Sequence, residues 1–191
     1  MVFVEELTYD RRKFAEEPLE KGEYENCQFR QCDFSKTDLA DIRFSECEFQ
    51  ECDFSLAMLT KTAFRDVLFK GCKMLGTRLE SRDEMGLSFK FDSCLLDHST
   101  FYKANIKSPV FKNSRLHEVD FTQCDLSGAL FDNCDMSGAV FDNTNLEKAD
   151  LTTSFNYTID PENNRIKRAR FSLSGLSGLL GKYDIEIVNS Y

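Results

Sequence analysis

The chain has 191 residues, with 33 acidic against 24 basic side chains and a net charge of −9. That balance argues against a nucleic-acid binder, whose footprint is a basic patch able to displace counterions from phosphates. Its 18 Phe, 8 Cys, absent Trp and 2 His point to one side-chain shape used repeatedly in similar surroundings. No run of about 18 apolar residues exists to span a membrane. The first 14 residues carry Glu5, Glu6 and Asp10 and lack the apolar stretch of a signal peptide. The expectation is a cytoplasmic protein with reduced cysteines.

Residues 1–21 are rich in charge and read as a segment that caps or crosses one end of the fold. From Tyr24 a large apolar residue recurs at every fifth position: Tyr24, Phe29, Phe34 and Leu39, continuing without a break to Leu79. The position two residues earlier is small or compact, and all eight cysteines (27, 32, 47, 52, 72, 94, 124 and 134) lie in that column. A period of five fits neither regular element: an α-helix turns about 100° per residue, and a strand alternates faces at each step. The chain can bury this column only by bending at a similar corner in every repeat. It then coils, and successive coils pair their backbones along the axis at about 4.8 Å.

Cys52-Asp53-Phe54, Cys124-Asp125-Leu126, Cys134-Asp135-Met136 and Ala149-Asp150-Leu151 resemble the motif of the pentapeptide-repeat family. That motif is a small residue, Asp or Asn, Leu or Phe, then two polar residues. The resemblance covers roughly residues 22–151. It implies an all-β fold, a right-handed, four-sided β-helix solenoid with four repeats per coil, so that residues 20 apart stack. Cys27 then lies below Cys47, and Cys32 below Cys52 and Cys72. A disulfide or metal ladder is one reading of this column. The preferred one is packing, because free Cys behaves as a small hydrophobe and no Cys-x-x-Cys or paired His accompanies it. No cofactor is expected.

Residues 80–90 interrupt the pattern, with Glu84 where an apolar residue is due. A two-residue insertion there should bulge as a short loop and leave the solenoid continuous on both sides. Arg82, Asp83, Glu84 and Met85 are its candidate contact residues, against the alternative of a tolerated insertion. The second series runs from Phe91 to Leu151, offset by two from the first. Within it Pro109 lacks an N–H and is expected to remove one coil-to-coil hydrogen bond.

After Leu151 the periodicity stops, and residues 152–191 read as a capping and dimerisation segment. Arg165, Lys167, Arg168 and Arg170 form a basic cluster. Leu173, Leu176, Leu179 and Leu180 fall on one side of a short helix, and Asp184 to Val188 alternates as a strand does. The stripe either caps the last coil or also pairs with its own copy across a two-fold axis. The tail resembles that of the albicidin-resistance members of the family, and relatives that include the quinolone-resistance proteins dimerise through this end. Leu173, Leu176, Leu179, Leu180, Tyr183, Ile185 and Ile187 are therefore the candidate interface of a homodimer.

An interior filled by Phe and Leu leaves no natural substrate cavity. His98 and His117 lie in polar repeat positions away from any nucleophile pattern and read as surface residues, so an enzyme is not expected. Acidity concentrates in residues 80–160, which carry −7 of the total −9. Glu118, Asp120, Asp125, Asp132, Asp135, Asp142, Glu147 and Asp150 are the candidate partner-binding residues, facing one base, Lys148, in the same span. The resemblance implies an acidic rod of about duplex width. As a DNA mimic it would occupy the DNA-binding saddle of bacterial gyrase or topoisomerase IV and protect the enzyme from albicidin- or quinolone-type inhibitors. The alternative is a structural scaffold with another basic partner. No direct nucleic-acid or membrane contact is expected.

Overall fold

The computed structural model describes residues 1–79, 87–106 and 108–188. Among them are eleven short strands: β1 (Val2–Glu5), β2 (Thr8–Asp10), β3 (Gly22–Glu25), β4 (Gln28–Arg30), β5 (Arg43–Ser45), β6 (Glu48–Gln50), β7 (Ala63–Arg65), β8 (Val67–Lys70), β9 (Phe89–Asp92), β10 (Val110–Lys112) and β11 (Leu130–Asp132). They form two parallel sheets, ordered β1-β3-β5-β7 and β11-β10-β9-β8-β6-β4-β2. The register is twenty: Phe29 faces Phe49, and Phe111 faces Phe131. The other two sides of each coil are turns joined by single bridges, such as Asp33 to Asp53 and Asp38 to Met58. Four pentads per turn therefore close a four-sided solenoid.

The corner that the period demands is a backbone state. Nearly every fifth residue, from Glu6 and Arg11 to Asn143 and Lys148, has φ between 42° and 70°. This left-handed turn swings the chain through each corner and returns the next apolar side chain inward. All 25 members of the two apolar series are buried. In one column Tyr9, Phe29, Phe49, Phe69, Phe91, Phe111 and Phe131 stack ring on ring, with centroids 4.7 to 5.4 Å apart. Offset stacking adds about 0.5–1.5 kcal/mol per pair beyond the area buried.

Across the interruption the offset becomes 22. Val67 pairs with Phe89, Lys73 with Leu95 and Arg78 with Thr100, so the solenoid runs on continuously. Arg82, Asp83, Glu84 and Met85, the candidate contact residues of the expected loop, lie outside the described residues. Phe89 fills the small-residue slot above Val67, with its ring 4.9 Å from that of Phe91.

The solenoid is longer at both ends than the repeat spacing indicated. Val2–Glu5 and Thr8–Asp10 pair with the coil above them, and Phe14 continues the inward column. Residues 1–21 thus include three paired sides of a first coil, masked in the sequence by charge at its outward positions. At the far end Arg165 bridges Asn145 and Arg170 bridges Asp150, with Ile166 and Phe171 packed on the core. Between them the inward position falls on Asn156, which is exposed and held at a φ of 60°, and Tyr157 is buried in its place.

Two local expectations are corrected. The leucine segment forms two 3-10 turns, Leu176–Leu179 and Gly181–Tyr183, in place of a longer helix, and Asp184–Val188 is exposed chain without strand pairing among the described residues. Alternation alone does not make a strand when no described sheet edge pairs with it. Pro109 removes no coil-to-coil bond: residues in its slot donate their N–H within their own coil, as Ala129 does to Leu126 O and Ala149 to Leu146 O, both at 3.0 Å.

Candidate interaction surfaces

Repeat chemistry decides what the acidic side chains are free to do. At the motif's Asp/Asn position the carboxylate turns back on its own corner. Oδ1 of Asp33, Asp53, Asp120, Asp125 and Asp150 accepts the backbone N–H two residues on, at 2.8 to 3.0 Å. Asp135 does the same toward Ser137 at 3.2 Å. Half of the eight candidate partner-binding acids therefore hold the fold as well as carrying charge.

Neighbouring coils neutralise several of them. Arg165 reaches Glu147 at 2.8 Å, and Arg170 reaches Asp150 at 2.8 Å, so the basic cluster fastens the last coil to the one below. His98 Nδ1 lies 3.2 Å from Glu118 Oε2, and His117 Nε2 lies 2.8 Å from Asp135 Oδ2. Arg115 clasps the buried carboxylate of Asp97 through Nε and Nη2. Both histidines thus sit on one surface, tied to carboxylates of the same or the adjoining coils. Desolvation works to raise the pKa of Asp135, but hydrogen bonds from His117, Asn156 and Ser137 outweigh it and hold the carboxyl well below its usual range.

Asp120, Asp125, Asp132 and Asp142 have no ion pair among the described residues. The bridges place Asp120 in the Arg78–Thr100–Asp120–Val140 stack, Asp125 between Asn105 and Asn145, and Asp132 over Lys112. Asp142 stands in the coil above Asp120. The unpaired carboxylates lie on three of the rod's four sides rather than on one, Asp120 and Asp142 sharing a side.

The cysteine column has a role that spacing alone did not reveal. Seven of the eight thiols donate to a carbonyl of the coil below: Cys52 Sγ donates to Phe29 O at 3.3 Å and accepts the N–H of Cys32 at 3.4 Å. Ser114 and Ser154 replace cysteine in the same stack and accept from Cys94 N and Cys134 N at 3.1 and 3.0 Å. All eight cysteines are free and buried, and burial pushes the thiols of Cys47 and Cys134 up to about 12 and about 11. No group of His, Cys, Asp or Glu among the described residues could hold a metal ion.

At the C-terminal end Leu173, Leu176, Tyr183, Ile185 and Ile187 are exposed, whereas Leu179 and Leu180 are half-buried. The turn is pinned by Lys182, which pairs with Asp160 at 2.7 Å and Glu162 at 2.6 Å, and by Tyr183 Oη, which donates to Glu162 at 2.8 Å. Stacking by twenties, carried past Leu151, was the signal that places Arg170 over Asp150. The exposed Leu56 and Met58, outward in a repeat whose other outward positions are mostly polar, were visible in the sequence but not singled out.

Parallel coils around a solid aromatic core define a β-solenoid. The chain belongs to the pentapeptide-repeat family, whose model of the pentapeptide repeat region matches residues 23–90 and 87–177. Among solved structures it is similar to HetL of the cyanobacterium Nostoc sp. strain PCC 7120, involved in heterocyst differentiation regulation. That match has 18% identity over 91% of this chain and 88% of the other, with a TM-score of 0.51. QnrB1, a plasmid-mediated fluoroquinolone resistance protein, matches at 18% identity over 96% of this chain and 100% of the other, with a TM-score of 0.43. A pentapeptide repeat protein of the Arabidopsis thaliana thylakoid lumen matches at 19% identity over 70% and 64%, with a TM-score of 0.30. No curated protein matches the sequence. At these identities the likeness speaks for the fold alone. Among the described residues no helix is long and apolar enough to cross a membrane.

Proposed function

We propose that this chain is a non-catalytic, acidic binding rod that engages the DNA-binding groove of bacterial DNA gyrase or topoisomerase IV as a duplex mimic and shields the enzyme from inhibitors. The observation that carries this reading is the set of carboxylates without ion pairs among the described residues, Asp120, Asp125, Asp132 and Asp142, on three sides of a rod whose interior is filled. Charge presented on several sides of a stiff cylinder is what a basic groove built for phosphates would meet. Family membership supports it through the albicidin- and quinolone-resistance proteins. Arg82, Asp83, Glu84 and Met85 remain candidate contacts of the same partner. A homodimer involving the C-terminal segment belongs to this proposal, as does a cytoplasmic location.

The test is a supercoiling assay with purified gyrase, with and without albicidin and a quinolone. The expected result is inhibition or drug protection that weakens as salt rises and in the variant Asp120→Asn/Asp125→Asn/Asp132→Asn/Asp142→Asn. No effect on supercoiling, drug sensitivity or co-elution with gyrase would reject gyrase and leave a scaffold with a different basic partner.

A further inference from the structure

Leu56 is the one apolar side chain among the 24 described non-glycine residues held at positive φ. A bulky residue is unfavourable there, and strain of this kind persists where it has a use. Its side chain is 56% exposed and Met58, two residues on, is 54% exposed. Together with Gly76 and Arg78 they line a surface groove, and Met58 joins it to a second one running past Lys36 to Pro18 and Leu19. Lys36 and Lys61 stand exposed at the rim, where Asp38 is held by Lys21 at 3.5 Å and Asp41 by Lys61 at only 3.9 Å. The groove is apolar at its base and mainly cationic at its edge.

One segment of this chain has the complementary chemistry. Asp184-Ile185-Glu186-Ile187-Val188 is fully exposed, alternates carboxylates with branched apolar side chains, and has no strand partner among the described residues. It leaves the solenoid on the side that bears the groove. Lys182 and Tyr183 are anchored on Asp160 and Glu162, twenty residues beyond Val140, and Val140 tops the Arg78–Thr100–Asp120–Val140 stack. The chain's own groove lies five coils down, about 24 Å at 4.8 Å per coil, whereas the five residues from Asp184 extend about 17 Å at 3.3 Å each. That path also crosses the Asp120 carboxylate.

We infer that the Leu56–Met58–Arg78 groove receives the Asp184–Val188 segment of a second copy of this chain, each tail entering the other's groove across a two-fold axis between antiparallel rods. The exchange is isologous and closed, so it makes a dimer rather than a fibre. The inference rests on the homodimer proposed above and replaces end-to-end pairing with side-by-side docking. Gyrase binding is independent of it.

The experiment is sedimentation equilibrium over a concentration series on the wild type, a groove variant (Leu56→Asn/Met58→Asn) and a tail variant (Ile185→Asn/Ile187→Asn). Asn tolerates positive φ, so the groove variant should keep or raise the denaturant midpoint while its dimer weakens at least about tenfold, as removal of buried anchors does. The tail variant should weaken the dimer equally. An equimolar mixture of the two should associate more tightly than either alone, because one intact tail can still meet one intact groove. A groove variant that dimerises like the wild type, or a mixture no tighter than its components, overturns the docking while leaving a dimer. A wild type that stays monomeric removes both, and the supercoiling result stands apart from either outcome.

Discussion

Gly175 lies directly against Tyr157: a Cβ added at Gly175 would stand 1.9 Å from Tyr157 Oη. Gly178 makes the same close approach to the Tyr157 carbonyl, at 2.2 Å. The two glycines let the C-terminal turn close over Tyr157, the residue buried in place of Asn156, so the top of the core is sealed by contact rather than by a helix. Gly175 has φ of −86°, and its requirement is space alone. Gly175→Ala should therefore unseat the turn at a cost of about 1–3 kcal/mol, as overpacking does. Limited proteolysis followed by mass spectrometry should show cleavage after residue 171 at protease levels that leave the wild type intact, with the coils below undisturbed.

Phe121 sits between Phe101 and Phe141 with ring centroids 5.2 Å away on each side, and it is fully buried. Phe121→Ala should cost about 3–5 kcal/mol, combining lost transfer energy with a cavity that the rigid coils cannot close. Since each coil contacts only its neighbours, the damage should divide the rod. Urea unfolding followed by hydrogen exchange should find the coils on either side of residue 121 exchanging first. A loss below about 0.5 kcal/mol would contradict an inward Phe121.

The solenoid was legible because its signal was redundant. One Phe every five residues identifies little, but an apolar column continuing from Tyr24 to Leu79 leaves the backbone one way to bend. Legibility failed where the constraint came from tertiary contact. Val4, Tyr9, Phe14 and Leu19 hold the same period as Tyr24, yet the charges among them read as a capping segment, and only pairing with the next coil exposes them as repeats. At the C-terminus Tyr157 and Gly175 are distant in sequence, and no periodicity announces their contact. The acidic surface was legible as a total and not as a pattern, because the ion pairs of Glu147 and Asp150 depend on a coil beyond the periodic stretch.

The inter-coil thiols give a stability test with a built-in control. Cys52→Ala removes the acceptor of the Cys32 N–H and leaves that buried group unpaired, which should cost about 1–3 kcal/mol. Cys52→Ser supplies the same donor and acceptor, as Ser114 and Ser154 do naturally, and should lose less in chemical denaturation. Burial also lifts Cys47 and Cys134 out of the reactive range. All eight thiols are buried from the reagent, so Ellman's reagent should find no fast thiol in the native protein and all eight after unfolding.

Asp135 supplies the pH dependence. Its folded pKa lies below that of a free aspartate: desolvation pushes it up, but His117, Asn156 and Ser137 hydrogen-bonding to the carboxylate prevail. A depressed folded pKa means that the unfolded chain takes up the proton first. The contribution of Asp135 is therefore complete above the unfolded value of about 3.9 and drains away as pH falls from there toward the folded one. Asp135→Asn keeps an oxygen for the Ser137 N–H but cannot carry the charge that faces His117 and Arg115. The stability difference between wild type and Asp135→Asn, from denaturant midpoints at successive pH values, should be constant near pH 5 and shrink toward zero below about pH 3. A difference that persists undiminished at the acid end would show that the carboxylate acts by shape alone.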